Sequence, residues 1–205
     1  MLSCIEDNEA RLCGVVESEP VLSHEVHGEK FYRFCMKSKR LSENEDILMV
    51  TAAESLLEDK EIKIGDKAEL TGQFRSYNNY SGVGNKLVLT FFARTLEILD
   101  CCFEPCNEVY LNGYVCKEVI CRTTPFGREI ADVLLAVNRA YNKSDYIPCI
   151  VWGRNARRVK DILVGSNLKI WGRMQSRDYE KKISETETIK KTAYEVSVSK
   201  VELVE

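Results

Sequence analysis

The sequence predicts an all-β protein built as two tandem five-stranded barrels. Two observations carry this expectation. First, strand-like runs dominate the 205 residues, with one helical pattern in each half. Second, motifs recur at a nearly constant spacing. Asn8-Glu-Ala-Arg-Leu-Cys-Gly14 aligns with Asn107-Glu-Val-Tyr-Leu-Asn-Gly113 at a shift of 99 residues. Ile64-Gly65 aligns with Val164-Gly165, and Gly72-Gln-Phe-Arg-Ser76 with Gly172-Arg-Met-Gln-Ser176, at a shift of 100. One slipped residue over such a length marks duplicated domains, 8–99 and 107–205, joined by the short linker Asp100-Cys-Cys-Phe-Glu-Pro-Cys106.

Each half repeats the same order of elements. A Gly-bearing first strand (Leu12–Val16, Val109–Val115) leads through a turn to a second strand, Glu29–Lys37 or Glu129–Val137. A polar loop follows (Ser42–Asp46, Asn142–Asp145), then a third strand, Ile47–Ala52 or Tyr146–Trp152. The helical pattern comes next, Glu54–Lys60 or Asn155–Leu163, the latter with an apolar stripe of Val159, Ile162 and Leu163. A strand led by Gly65 or Gly165 and a final strand (Leu87–Phe92, Tyr194–Ser199) complete the unit, with polar hairpin loops at Asn78–Gly84 and Lys181–Lys191. Five strands with a helix between the third and fourth is the order of the OB-fold, a small Greek-key barrel.

Composition narrows the class. With 30% charged and 44% hydrophobic residues the chain reads as an ordinary globular protein. It shows no apolar run of membrane-spanning length and no signal-peptide pattern at its start. Nine cysteines, odd in number and irregular in spacing, read as reduced thiols of a cytosolic protein. The net charge of -3 divides into -6 over residues 1–100 and +3 over 101–205, so a polyanion-binding surface is expected mainly in the second half.

Two strands of that half carry the chemistry. In Tyr146-Ile-Pro-Cys-Ile-Val-Trp-Gly-Arg154, alternation puts Tyr146, Pro148, Ile150 and Trp152 on one face and Ile147, Cys149 and Val151 on the other. Tyr146 and Trp152 then lie ~20 Å apart, as two separate stacking platforms. In the next strand Leu168, Ile170, Gly172, Met174 and Ser176 suit a barrel interior, while Lys169, Trp171, Arg173, Gln175, Arg177 and Tyr179 face outward. Cations interleaved with π surfaces are what single-stranded nucleic acid requires: charge for the phosphates and rings for unstacked bases.

The second half resembles the bacterial single-stranded DNA-binding protein (SSB) family. The resemblance rests on Asn107–Gly113, Arg122-Thr-Thr-Pro-Phe-Gly127, Leu135–Tyr141, Tyr146–Gly153, Val164-Gly-Ser166 and Gly172–Tyr179. It implies base stacking on Tyr141, Tyr146, Trp152 and Tyr179, with phosphate contacts from Arg122, Lys143, Arg154 and Arg177. Arg173 and Trp171 join this set from the strand pattern alone. The first half has Ser42, Ile47, Ala53 and Asn79 where the second has the four aromatics, so it reads as a degenerate OB-fold, with Arg75, Tyr77 and Tyr80 nearby as a different surface. The family assembles four OB-folds, which implies a homodimer pairing first strands such as Asn107–Val115. It also implies a bacterial, cytoplasmic, nucleoid-associated protein of replication, recombination or repair. The chain closes on Val201-Glu-Leu-Val-Glu205 without the family's acidic tail, so recruitment of other replication proteins through such a tail is not expected.

Other signals are weaker. His24 and His27 flank a turn at Gly28 and read as loop residues. Cys102-Phe-Glu-Pro-Cys106 has zinc-ligand spacing but no second ligand pair, so neither a metal nor a cofactor is expected. Cys13, Cys35 and Cys149 fall on strands and read as small core side chains. No nucleophile elbow, P-loop or dinucleotide fingerprint is present, which argues against an enzyme. The rival to DNA binding is an OB-fold scaffold, primosomal or phage-derived, that binds protein.

Overall fold

The computed structural model describes residues 7–40, 42, 44–79, 87–100, 103–182 and 188–204. Among these, twelve strands form two sets in the same order. The first set is β1 (Asn8–Val16), β2 (Val21–Val26), β3 (Glu29–Lys39), β4 (Glu45–Ala53), β5 (Lys67–Asn78) and β6 (Leu87–Ile98). The second is β7 (Cys106–Val115), β8 (Ile120–Thr123), β9 (Glu129–Arg139), β10 (Lys143–Trp152), β11 (Asn167–Lys182) and β12 (Thr188–Val204). β1 pairs antiparallel with β3 and β5, while β4 runs parallel to β6. β7 likewise pairs with β9 and β11, and β10 runs parallel to β12. Each set is therefore a closed OB barrel, with Leu12, Phe34, Phe74 and Phe91 filling the first and Leu111, Leu135, Ile147 and Ile170 the second.

The aligned glycines explain part of the repeat. Gly72 and Gly172 mark where β5 and β11 bend, opposite one-residue bulges at Arg94 of β6 and Ser199 of β12. A Cβ there would collide with the carbonyl oxygens of Phe92 and Ser197, so no larger residue fits. Asn8 and Asn107 each tie the first strand to the far end of that bent strand. The Asn8 amide donates to the Phe74 carbonyl at 2.7 Å and accepts from its N–H at 2.9 Å; Asn107 does the same with Met174 at 2.7 and 2.8 Å.

The structure corrects several sequence expectations. β2 and β8 add a sixth strand to each unit, in segments where the sequence suggests only a turn. β8 is exposed throughout and β2 nearly so, and both pair only with the next strand, which leaves no burial period in the sequence. His24 accordingly lies on β2 rather than in a loop, while His27 does occupy the turn, with φ of 52°. The helix expected over Glu54–Lys60 is a single 3-10 turn, Glu54–Leu56, with no buried residue. Its Glu54 side chain instead accepts from Lys30 and Tyr32 on β3, at 3.1 and 3.0 Å. The second helix is α1 (Gly153–Val159), which buries Ala156 and Val159, whereas Leu163 of the expected stripe is 77% exposed. β4, β10, β11 and β12 run into the segments expected as polar loops, and Cys35 is half-buried on the outer face of β3. Tyr80, Cys101, Cys102 and residues 81–84 and 183–187 of the hairpin loops lie outside the described residues.

The largest correction concerns assembly. β1 pairs antiparallel with β7 of the same chain, from Asn8 opposite Leu111 to Cys13 opposite Cys106. The short linker brings the two first strands together, and the edge expected to pair with a second copy is occupied within the monomer. One sheet therefore runs through both barrels.

Two buried aspartates fasten this joint in mirror-image fashion. Asp46 on β4 accepts the Ser176 backbone N–H from the other barrel at 2.9 Å, and the Ile47 N–H donates back to Ser176 Oγ at 3.1 Å. Asp145 on β10 accepts the Ser76 N–H at 2.8 Å, and the Tyr146 N–H donates to Ser76 Oγ at 2.7 Å. Asp46 is held between Arg40 (2.7 Å) and Arg173 (2.9 Å), whereas Asp145 has Arg139 at 3.4 Å. Burial pushes the Asp145 carboxyl above its ordinary value, against the Ser76 amide and the nearby guanidiniums.

The asymmetry between the two aspartates is measurable as stability. Asp46→Ala leaves two guanidiniums facing each other without their anion and should cost about 3–5 kcal/mol in urea melts. A loss below about 1 kcal/mol would refute the role given to Asp46. Asp145 binds a proton more readily folded than unfolded, so its contribution to stability is present at low pH and lost as pH rises through the raised value. Asp145→Asn, neutral at every pH, should gain on the wild type as pH rises from about 4 to neutrality; a difference independent of pH refutes this.

Candidate nucleic-acid interface

β10 delivers most of its side chains as alternation requires, although Ile150, placed by the sequence on the outer face with Tyr146 and Trp152, is buried as well. Ile147, Cys149 and Val151 are buried in the barrel, with burial pushing the Cys149 thiol upward, while Tyr146 remains 45% exposed. Trp152 ends the strand half-buried, its indole N–H donating to Ser197 Oγ on β12 at 3.0 Å. That bond fixes the ring against the outer wall and leaves a face open to a groove of about 440 Å³, lined also by Arg173, Gln175, Ser176 and Arg177 of β11, Arg128, and Arg40 of the first barrel.

The structure thus brings Trp152, Arg173 and Arg177 together. Arg177 lies 3.6 Å from the buried Glu195 carboxylate, and its guanidinium is 6.0 Å from the Tyr179 ring centroid, which adds Tyr179 to the same strip. Glu195 also accepts from the Gln175 amide at 2.6 Å, so both flank residues are held by one carboxylate. Arg173 also serves the joint. Its guanidinium binds Asp46 across the two barrels, and it donates to Gln175 at 3.1 Å. Burial and the adjacent Arg40 push Arg173 below the ordinary arginine value, with Asp46 opposing them.

The remaining predicted residues are dispersed. Tyr141 sits in the β9–β10 turn with φ of 62° and is 93% exposed; Lys143, also exposed, opens β10 two residues later. Arg154 is exposed on α1. Arg122 on β8 forms a two-pronged bond with Asp132 at 2.7 and 3.1 Å. Trp171 lies elsewhere. Ahead of the bulge, β11 still pairs with β7, and Trp171 packs on Tyr110 (ring centroids 5.2 Å) under Lys200 (4.2 Å), on the sheet shared by the two barrels. The outer-face pattern groups Trp171 with Arg173, but the bulge between them separates the two environments.

Sequence reasoning missed Arg128 and Arg40. Arg128 sits just past a turn, outside any strand period. Arg40 carries a signal in the repeat: Arg40 and Asp46 recur as Arg139 and Asp145 at the shift of 99. Cys106 is on β7 opposite Cys13, with the sulfurs 2.7 Å apart, and burial pushes its thiol up to about 12. Among the described residues no three His, Cys, Asp or Glu side chains gather as a metal site would require, and no helix is long and apolar enough to cross a membrane.

Comparisons with known proteins bear on the second barrel and on the fold. Residues 106–204 match the model of the single-strand binding protein family. Single-stranded DNA-binding protein 1 of Staphylococcus aureus is 41% identical over 81 residues, covering 36% of this chain and 48% of the relative. Single-stranded DNA-binding protein A of Bacillus subtilis is 38% identical over 81 residues, 36% of this chain and 47% of its own length. The chain thus spans about half the length of the curated relatives it matches. The crystal structure of wild-type single-stranded DNA binding protein from Thermus aquaticus superposes with a TM-score of 0.75 at 16% identity, covering 97% of this chain and 93% of that one. Two OB-folds in one chain are therefore a known arrangement.

Proposed function

We propose that this chain, whose residues 106–204 form a domain of the single-strand binding protein family, binds single-stranded DNA with little sequence preference and serves replication, recombination or repair. The observation that carries the reading is the open groove in which the fixed Trp152 ring stands beside Arg173, Arg177 and Arg128. A base stacks on Trp152, and the guanidiniums neutralise the phosphates on either side of it. Tyr146, Tyr179 and the exposed Tyr141 extend the stacking path, and Lys143 and Arg154 extend the charge. Arg122 contributes to the field even while it is tied to Asp132. Trp171, packed on Tyr110, is left out of the contact surface. The reading takes 8–99 and 107–205 as its two domains and a bacterial cytoplasm as its setting.

Stacking gives ~1–3 kcal/mol per base for any base, so affinity should vary little among sequences of equal flexibility. Oligo(dT) should quench the fluorescence of Trp152, and Trp171→Phe should leave the quenching amplitude unchanged. The log–log salt dependence of binding should have a slope of ~-0.7 per phosphate contacted. Trp152→Ala with Tyr179→Ala should lower affinity ~30-fold or more. Undiminished oligo(dT) affinity after this double change removes the Trp152 groove as the site, and a folded wild type with neither quenching nor gel retardation at low salt sinks DNA binding and favours a protein-binding scaffold.

The homodimer of four OB-folds remains part of this proposal, now without its strand pairing, because β1 and β7 already pair with each other. Sedimentation should return the mass of two chains, and a single-chain mass across micromolar concentrations would remove the dimer.

A further inference from the structure

The first barrel lacks aromatics at the aligned positions, yet its outer face is aromatic. The explanation lies in cross-strand pairs. In the second barrel Trp152 on β10 stands opposite Ile130 on β9. In the first barrel the matching pair is Ala53 on β4 opposite Phe31 on β3, so the large ring has moved to the neighbouring strand. One strand pair further on, Arg173 opposite Ser197 becomes Gln73 opposite Phe92. The two relocated rings meet, Phe31 lying 5.9 Å from Phe92, and His24 stacks on the other side of Phe31 at 5.0 Å and 11°.

Cations are interleaved with these rings. The Arg75 guanidinium lies over Phe92 at 3.8 Å, and that of Arg33 over Tyr77 at 5.2 Å. The Arg33 Nε is buried without a hydrogen-bond partner, a donor the barrel itself leaves unused. These groups line a groove of about 640 Å³ whose rim is completed from the second barrel by Arg139, Tyr141 and Lys143. Burial and the facing Arg33 push His24 below its ordinary value, which favours a neutral ring in the row.

We propose that this groove is a second binding site for single-stranded nucleic acid, built from different strand positions than the first, and that a strand bound on the second barrel passes Tyr141 and Lys143 onto it. A row of three rings flanked by two guanidiniums suits planar bases on a polyanionic backbone; an acidic peptide would use the charges and leave the rings unpaired. The site rests on the DNA-binding reading above but has its own residues and can fail on its own.

The test uses the full chain with oligo(dT) of ~10 and ~30 nucleotides, lengths that fit one OB-fold and span two. Phe31→Ala with Phe92→Ala should weaken binding of the long oligonucleotide about tenfold or more and shrink the occluded length. It should leave Trp152 quenching by the short one unchanged. Unchanged long-oligonucleotide affinity and occluded length overturn the proposal, as does a groove that takes poly-glutamate in their place. Arg33→Gln with Arg75→Gln keeps the rings and should reduce the salt slope by ~0.7 per lost phosphate contact; an unaltered slope also overturns it. If Trp152→Ala with Tyr179→Ala leaves residual binding that Phe31→Ala with Phe92→Ala abolishes, the second site stands even where the first reading fails.

Discussion

Two buried carboxylates, each reaching from one barrel into the other, fix the geometry on which everything else depends. Asp46 and Asp145 each accept the backbone N–H of a serine in the opposite barrel, and the hydroxyls of those serines, Ser176 and Ser76, accept the N–H of the next residue, Ile47 or Tyr146. With the β1–β7 ladder they tie the two barrels together at three places. A charge with access to less than about a tenth of its surface is tolerated only when hydrogen bonds and opposite charge surround it, and both aspartates meet that condition. The consequence reaches the ligand face. Arg40 of the first barrel enters the groove of Trp152, and Tyr141 and Lys143 of the second enter the groove of Phe31. Each barrel therefore completes the open face of the other, and the joint that supports the fold also supplies the walls of both grooves.

Arg173 shows how closely joint and groove are coupled. A guanidinium that neutralises a phosphate would ordinarily be free and solvated, but this one is partly occupied by Asp46. A phosphate arriving at the groove competes with a carboxylate that is itself shared with Arg40. Asp46 also holds Arg40, so on the proposed reading it would keep one guanidinium if Arg173 engaged a phosphate. One carboxylate between two guanidiniums leaves a net positive charge at the rim, which favours a polyanion even before any side chain moves.

Much of this is legible in the sequence, and the reasons differ from element to element. Strands with one buried face are visible because burial imposes a period of two, as on β7. The repeat is visible because Gly72 and Gly172 have no room for a Cβ, and because Asn8 and Asn107 make the same pair of backbone bonds. β2 and β8 leave little trace because they bury almost nothing. The intrachain pairing of β1 with β7 is not legible at all: an edge strand carries no mark of whether its partner is its own chain or another. Alternation places Trp171 beside Arg173, whereas the register shift between them gives the two residues different neighbours, and such a shift does not show in a period of two.

The first barrel shows why a net charge and a column of aligned residues can both mislead. Its acids outnumber its bases, but several are already paired and line no part of the Phe31 groove: Glu69 with Arg11, Glu17 and Glu45 with Lys37, Glu61 with Lys63, and Glu54 with Lys30. What a ligand feels is the local potential, and around Phe31 and Phe92 the charges that face the groove are guanidiniums. Comparison of columns sees Ala53 in place of Trp152 and counts a loss. A stacking surface, however, belongs to the space above two neighbouring strands, and either strand can supply the ring. Across the pair Phe31–Ala53 and the pair Ile130–Trp152, one large and one small residue have exchanged strands, with the aromatic surface kept over the same part of the barrel.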